Sequence, residues 1–162
     1  MTLPVEIQGI TWKNVHMLCQ KITKKMLKYD EDNGIIVGIG RGGLIPAVML
    51  SHQTKFPVVP VVWQTRELDA RKDSLQTLVL AIDRPSTIFV VDDINDTGKT
   101  FIGICDELDR LLKTYKLDIK IDVITVCLFE RHRSRILADV VGETLEDSRW
   151  VTFPWEKAEF NG

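Results

Sequence analysis

The run Thr87-Ile88-Phe89-Val90-Val91 has no polar alternation and is followed at once by acids. A strand solvated on one face alternates apolar and polar residues, whereas a strand covered on both faces reads as a continuous apolar run. Residues 34–40 (GIIVGIG), 58–63 and 119–128 have the same character, and residues 75–80 read as a further strand. Helical patterns lie between these runs. Thr11 is a candidate N-cap, and Trp12, Val15, Leu18, Cys19, Ile22, Met26 and Leu27 follow at mostly helical spacing, predicting a helix that ends near Lys28. Residues 43–53 and 100–112 predict two more helices, the first with Pro46 in its opening turn, where proline is tolerated. Strands alternating with helices predict an α/β fold on a mainly parallel sheet with flanking helices. In such sheets ligands bind beyond the carboxyl ends of the strands.

The length of 162 residues suits one domain. Lys plus Arg is 21 and Asp plus Glu is 23, a formal net charge of −2 that argues against a dedicated nucleic-acid or anionic-membrane partner. The three cysteines, Cys19, Cys105 and Cys127, form no close pair, which excludes a disulfide scaffold and a CxxC site. They suit a reduced, cytoplasmic compartment. No signal peptide is legible at residues 1–8, and the densest apolar stretch, 56–63, is too short for a bilayer. His16, His52 and His132 are scattered and read as structural or surface residues, while Trp12 and Trp63 read as core.

Two strand ends carry chemistry. The first is Gly38-Ile39-Gly40-Arg41-Gly42-Gly43. Its glycines match GxGxxG, but the next strand ends Val62-Trp63-Gln64, without the acid a dinucleotide ribose needs. An anion site survives that exclusion. Glycines admit a close backbone approach, a helix N-terminus favours negative charge, and Arg41 adds a cation.

The second strand end is Asp92-Asp93-Ile94-Asn95-Asp96-Thr97-Gly98-Lys99-Thr100, read as a polar loop opening a helix. Crowded carboxylates call for a cation or a hydroxyl-rich ligand. Mg²⁺ is the natural hard-oxygen partner and usually arrives with substrate phosphates. Thr97, Gly98, Lys99 and Thr100 supply N–H groups and hydroxyls for a phosphate. Walker A is excluded because Asp93 stands where its first glycine belongs. Asp96-Thr97-Gly98 matches half of an aspartic-protease pair, with no second copy.

An apolar strand, two acids and then Asp-Thr-Gly-x-Thr resemble the phosphoribosyl pyrophosphate motif of type I phosphoribosyltransferases. The glycine turn resembles that family's pyrophosphate loop. The segment 149–156 (RWVTFPWE) resembles the end of bacterial xanthine-guanine and hypoxanthine enzymes. The resemblance implies a five-stranded, mainly parallel sheet and a small hood, here formed by N-terminal and C-terminal segments (about 129–162) of a single domain spanning 1–162. It implies Mg²⁺-dependent transfer of a phosphoribosyl group to a purine base in a cytoplasmic homo-oligomer, a dimer or tetramer. Asp92 and Asp93 would hold the ribose hydroxyls, with Asp93 also at the metal, and Asp96 would be the general base. Residues 96–100 would cradle the 5′-phosphate. Arg41 and Gly42 would hold pyrophosphate, and the resemblance allows a cis Gly40–Arg41 peptide. Trp150 would stack on the base and the Val151 backbone would read its edge. Residues 64–74, read as a loop with Arg66, Arg71 and Lys72, would be the closing lid, with Arg71 or Lys72 as its catalytic cation.

The chain departs from the resemblance at the base. The lysine that donates to a 6-oxo group is replaced by Phe129 or Glu130. Either Arg131 substitutes as donor, or Glu130 accepts from an exocyclic amine and the base is an aminopurine or a modified one. Thr152 stands where the bacterial enzymes carry an acid that reads the 2-amino group of guanine. Residues 131–135 (RHRSR) alternatively form a solvated basic turn. The rival of another class is a regulator that senses phosphoribosyl pyrophosphate without catalysis.

Overall fold

The computed structural model describes residues 7–63, 68–115, 118–146 and 149–156. Its elements run β1 (Ile7–Gly9), α1 (Trp12–Met26), β2 (Gly34–Ile39), α2 (Leu44–Thr54), β3 (Val58–Val61), α3 (Leu68–Ala81), β4 (Ser86–Asn95), α4 (Lys99–Tyr115), β5 (Ile121–Arg131), β6 (Val140–Leu145), β7 (Trp150–Thr152) and a 3₁₀ turn, Pro154–Glu156. The main sheet has five strands in the order β3-β2-β4-β5-β6, and every neighbouring pair is parallel. A separate two-stranded parallel sheet joins β1 to β7. The architecture is the α/β sheet with flanking helices that the apolar runs predict.

Alternation along the central strands divides the core. Phe89 and Val91 of β4, with Val126 and Leu128 of β5, pack with Ile22 and Met26 of α1 and Leu50 of α2. Ile88, Val90 and Cys127 face the other way, onto Leu75, Leu78 and Val79 of α3 and Ile104 and Leu108 of α4. Both faces are covered, which is why the strands show no polar stripe. Thr11 caps α1 as expected: its hydroxyl accepts from Asn14 N (3.2 Å), and Asn14 Oδ1 accepts from Thr11 N (3.0 Å).

Four expectations are corrected. Residues 68–81 are one helix, where the sequence reads as a loop to 74 and a strand over 75–80. Leu75, Leu78, Val79 and Ile82 are buried and Leu80 is exposed, a helical spacing mistaken for an apolar strand. β4 runs on to Asn95, so Asp92 and Asp93 are strand residues, still paired with β5 through Asp92↔Cys127 and Ile94↔Phe129. Trp12 is 53% exposed and stands outside the core, its ring meeting Trp155 (centroids 5.9 Å apart). The Gly40–Arg41 bond is not cis, since no cis peptide occurs among the described residues; Gly40 makes the turn with φ 52° instead.

β2 leads to β3 on one side of the sheet, while β4 leads to β5 on the other. Connections diverge between β2 and β4, and that switch point opens a crevice at the strand ends.

Candidate active site

A cavity of about 610 Å³ fills this crevice. Gly40, Arg41 and Gly42 line it from the β2–α2 turn, Asp92 and Asp93 from β4, and Trp155 and Glu156 from the 3₁₀ turn. Gly42 lies so close to β4 that a Cβ would overlap Asp93 Oδ2, and one on Gly43 would overlap the Val91 carbonyl. These glycines let the turn sit directly on the acidic strand end. Arg41 is exposed beside them.

Asp93 N donates to Asp92 Oδ1 (2.9 Å), and Ile94 N donates to Asp93 Oδ1 (2.7 Å). Burial holds the Asp92 carboxyl well above its ordinary range, and the neighbouring Asp93 charge adds to the shift. Burial also raises Asp93, against its hydrogen bond from Ile94 N, with Glu156 pushing the same way as burial. Two carboxyls that resist ionising side by side form a site that gains from a bound cation. Among the described residues no three His, Cys, Asp or Glu gather as a metal cage. A cation here would take part of its oxygen shell from a ligand, as Mg²⁺ habitually does.

A smaller cavity of about 80 Å³ lies beside the first, lined by Asp92, Ile94, Asn95 and residues 96–98, with Thr100 and Phe101 of α4. Gly98 has φ 81°, a conformation L side chains rarely adopt, and α4 starts at the next residue. The loop therefore presents backbone N–H groups at a helix N-terminus. Thr97 and Lys99 are exposed, and Thr97 Oγ1 accepts from Lys99 N at 3.4 Å.

Asp96 Oδ1 is held by two guanidiniums. Arg131 Nε lies 2.9 Å away in an ion-pair contact. Arg133 donates through Nη2 at 2.9 Å and Nε at 3.2 Å. Arg131 is buried, and its Nη2 also donates to the Arg149 carbonyl (2.6 Å), next to Trp150. Arg131 thus links the acidic loop to β7. Glu130, one of the two alternatives for reading the base, does not face this cluster. It is buried, taking hydrogen bonds from Asn95 Nδ2 (2.9 Å) and Ala138 N (2.6 Å). Successive side chains of a strand point to opposite faces, so Glu130 and Arg131 diverge.

The structure brings together Arg41, Gly42, Asp92, Asp93 and Thr100 at the large cavity, and Asp96, Thr97 and Gly98 at the small one. Trp150 is 62% exposed and Val151 is buried; neither is among the described residues lining these cavities. Arg66 lies outside the described residues, as do the side chains of Arg71 and Lys72 on α3. Trp63 packs against the core as expected and also lines the large cavity, lying against Gly103, where a Cβ would come within 3.0 Å of its ring. The Arg133–Asp96 pair is not among the expected contacts. Its only signal is a basic turn, a pattern that usually marks solvated charge.

A family model for the phosphoribosyl transferase domain matches residues 10–158. The chain belongs to this family. Among phosphoribosyltransferases it is similar to a xanthine-guanine phosphoribosyltransferase from Idiomarina loihiensis, 27% identical over 150 residues that cover 91% of this chain and 85% of the relative. The crystal structure of a purine phosphoribosyltransferase from Pyrococcus horikoshii superposes with a TM-score of 0.71 at 25% identity, covering 94% of this chain and 95% of that one. The Helicobacter pylori xanthine-guanine-hypoxanthine enzyme shares the fold, with a TM-score of 0.72 at 18% identity over 94% of this chain and 95% of the other.

Proposed function

We propose that the protein transfers the 5-phosphoribosyl group from phosphoribosyl pyrophosphate to a purine base and releases pyrophosphate. One observation carries the reading: the acidic pair of β4 lies between a glycine–arginine turn and a helix-N-terminal loop. Ribose hydroxyls on Asp92 and Asp93 would place pyrophosphate toward Arg41–Gly42 and the 5′-phosphate toward residues 96–100.

Displacement at the anomeric carbon builds positive charge on the ribose and negative charge on the leaving group. Asp92 and Asp93 stabilise the former, while Arg41 and the N–H groups of its turn receive the latter. As base N9 bonds to the anomeric carbon, Asp96 accepts the proton leaving the purine at N7. Arg131 and Arg133 fix the orientation of that carboxylate. The raised Asp92–Asp93 pair suits Mg²⁺, held by Asp93 and substrate oxygens. When bound, the ion supplies charge neutralisation of the leaving pyrophosphate. Arg71 or Lys72 is the lid cation in this reading, and Trp150 with the Val151 backbone takes the base.

A 6-oxopurine (guanine, xanthine or hypoxanthine) is the favoured base. Glu130 is engaged inside the protein, and the charged groups next to Asp96 are donors. The likeness to a xanthine-guanine enzyme supports the same choice. We place the activity in the cytoplasm, in a homo-oligomer with no nucleic-acid or membrane partner. The three free thiols suit that compartment, and no described helix is long and apolar enough to cross a membrane.

The test is pyrophosphate release from phosphoribosyl pyrophosphate and Mg²⁺ over a panel of purines, pyrimidines and modified bases. Release with a 6-oxopurine is expected. Release only with an aminopurine would overturn the base assignment. Tight phosphoribosyl pyrophosphate binding with no release on any base would favour the sensor.

A further inference from the structure

Asn95 and Glu130 face each other across the β4–β5 ladder, and both are buried, at 3% and 5% exposure. Asn95 Nδ2 donates to Glu130 Oε1 (2.9 Å) and to the Ile136 carbonyl (2.8 Å). Ser134 Oγ donates to Asn95 Oδ1 (3.0 Å). Two acceptors on one amide atom and a hydroxyl on the other define the amide's orientation. Glu130 Oε1 also takes the Ala138 N–H (2.6 Å).

A buried carboxylate and amide cost free energy unless fully bonded, and an apolar pair would fill the space more cheaply. What this network gains is a fixed shape for residues 134–138. That segment backs the loop of the small cavity. Arg135 N donates to the Thr97 carbonyl (3.2 Å). Gly98 is pressed so closely that a Cβ would lie 2.8 Å from Ile136 Cγ2 and 3.0 Å from Ser134 Oγ.

We infer that Asn95 and Glu130 are positioning residues of the 5′-phosphate cradle: acting through residues 134–138, they hold Thr97 and Gly98 in the shape that receives the phosphate. The inference rests on the reading of residues 96–100 as that cradle. The backbone N–H groups of such a loop can meet the phosphate only if the chain is correctly placed, and that placement depends on what lies behind it.

Asn95→Asp sets two carboxylates face to face in the buried network. Binding of ribose 5-phosphate to the full chain, measured by calorimetry, is expected to weaken about tenfold or more. Binding of Mg²⁺–pyrophosphate, which needs the Arg41 turn, is expected to stay at the wild-type level. Adding Glu130→Gln, whose amide donates to the new carboxylate, should recover most of the lost affinity. An Asn95→Asp protein that melts earlier yet binds ribose 5-phosphate like the wild type would overturn the inference, because a purely structural role predicts that result. Should Asn95→Asp not fold, Ser134→Ala is read in the same way: about a threefold loss supports the inference and no loss overturns it. A wild-type chain that binds pyrophosphate but not ribose 5-phosphate refutes the cradle reading itself.

Discussion

Gly42 and Asp93 touch: the space a Cβ on residue 42 would fill is occupied by Asp93 Oδ2. The pyrophosphate turn and the acidic strand are therefore one construction. Gly42→Ala must push the carboxylate aside or lift the turn. Either shift misplaces groups that act by position, so kcat/KM for pyrophosphate release should fall about a hundredfold. The melting temperature, followed by circular dichroism, should change little, because the displaced groups border open cavity.

Asp96→Asn retains the size of the side chain and a carbonyl for Arg133 but cannot take a proton. Turnover with the true base should drop about a hundredfold or more, while phosphoribosyl pyrophosphate binding stays near wild type. Unchanged turnover would remove Asp96 from the proton-transfer role.

The Asp92 carboxyl is raised by burial and by its neighbour. A raised acid holds its proton more tightly folded than unfolded, so its favourable contribution is complete below the ordinary carboxylate pKa of 3.8 and is lost as pH rises through the folded value. In the ligand-free protein, Asp92→Asn should raise the melting temperature at pH 8 by about 3 °C for each kcal/mol relieved. That advantage should shrink toward pH 4. An equal gain at both ends would mean that ionisation is not its source. In the wild type, Mg²⁺ with phosphoribosyl pyrophosphate should supply the missing counter-charge and raise the melting temperature at pH 8.

Arg131 and Arg133 grip the same oxygen of Asp96, but their side chains are 6% and 63% exposed. Burial decides their weights. Arg131→Ala removes a buried partner of both Asp96 and the Arg149 carbonyl and should cost about 3 kcal/mol in urea unfolding. Arg133→Ala removes an exposed pair and should cost under about 1 kcal/mol. Equal costs would show that the buried position carries no special load.

The sheet and most of its helices are legible in the sequence because their signals are local. Continuous apolar runs mark β2, β4 and β5, and a capping threonine marks α1. The failures share a physical origin. Residues 75–80 carry apolar residues in both registers, and only the packing of Leu75, Leu78 and Val79 against α4 selects the helical period. β6 (Val140–Leu145) interrupts its apolar residues with Gly142, Glu143 and Thr144, and β7 is three residues long and pairs with β1, distant in sequence, which no local pattern announces. The acidic motif is readable residue by residue, but the direction of Glu130 depends on where β5 ends and on the buried Asn95 opposite it. Hydrophobicity alone places Trp63 and Trp12 in the core, but Trp63 also lines the cavity beside Gly103 of α4, and Trp12 meets the Trp155 ring.

The pairing of Ile7–Gly9 with Trp150–Thr152 sets an order of events on the ribosome. β1 finds its hydrogen-bonding partner only in β7, made after every strand of the main sheet, and Ile10 N waits for the Thr152 carbonyl as well. Closing so long a loop is entropically expensive until the main sheet has drawn the two segments together. The wall of the crevice that carries Trp155 and Glu156 thus forms only after the main sheet, and a nascent chain halted at β6 would hold the acidic pair and the glycine turn in a trough still open on one side.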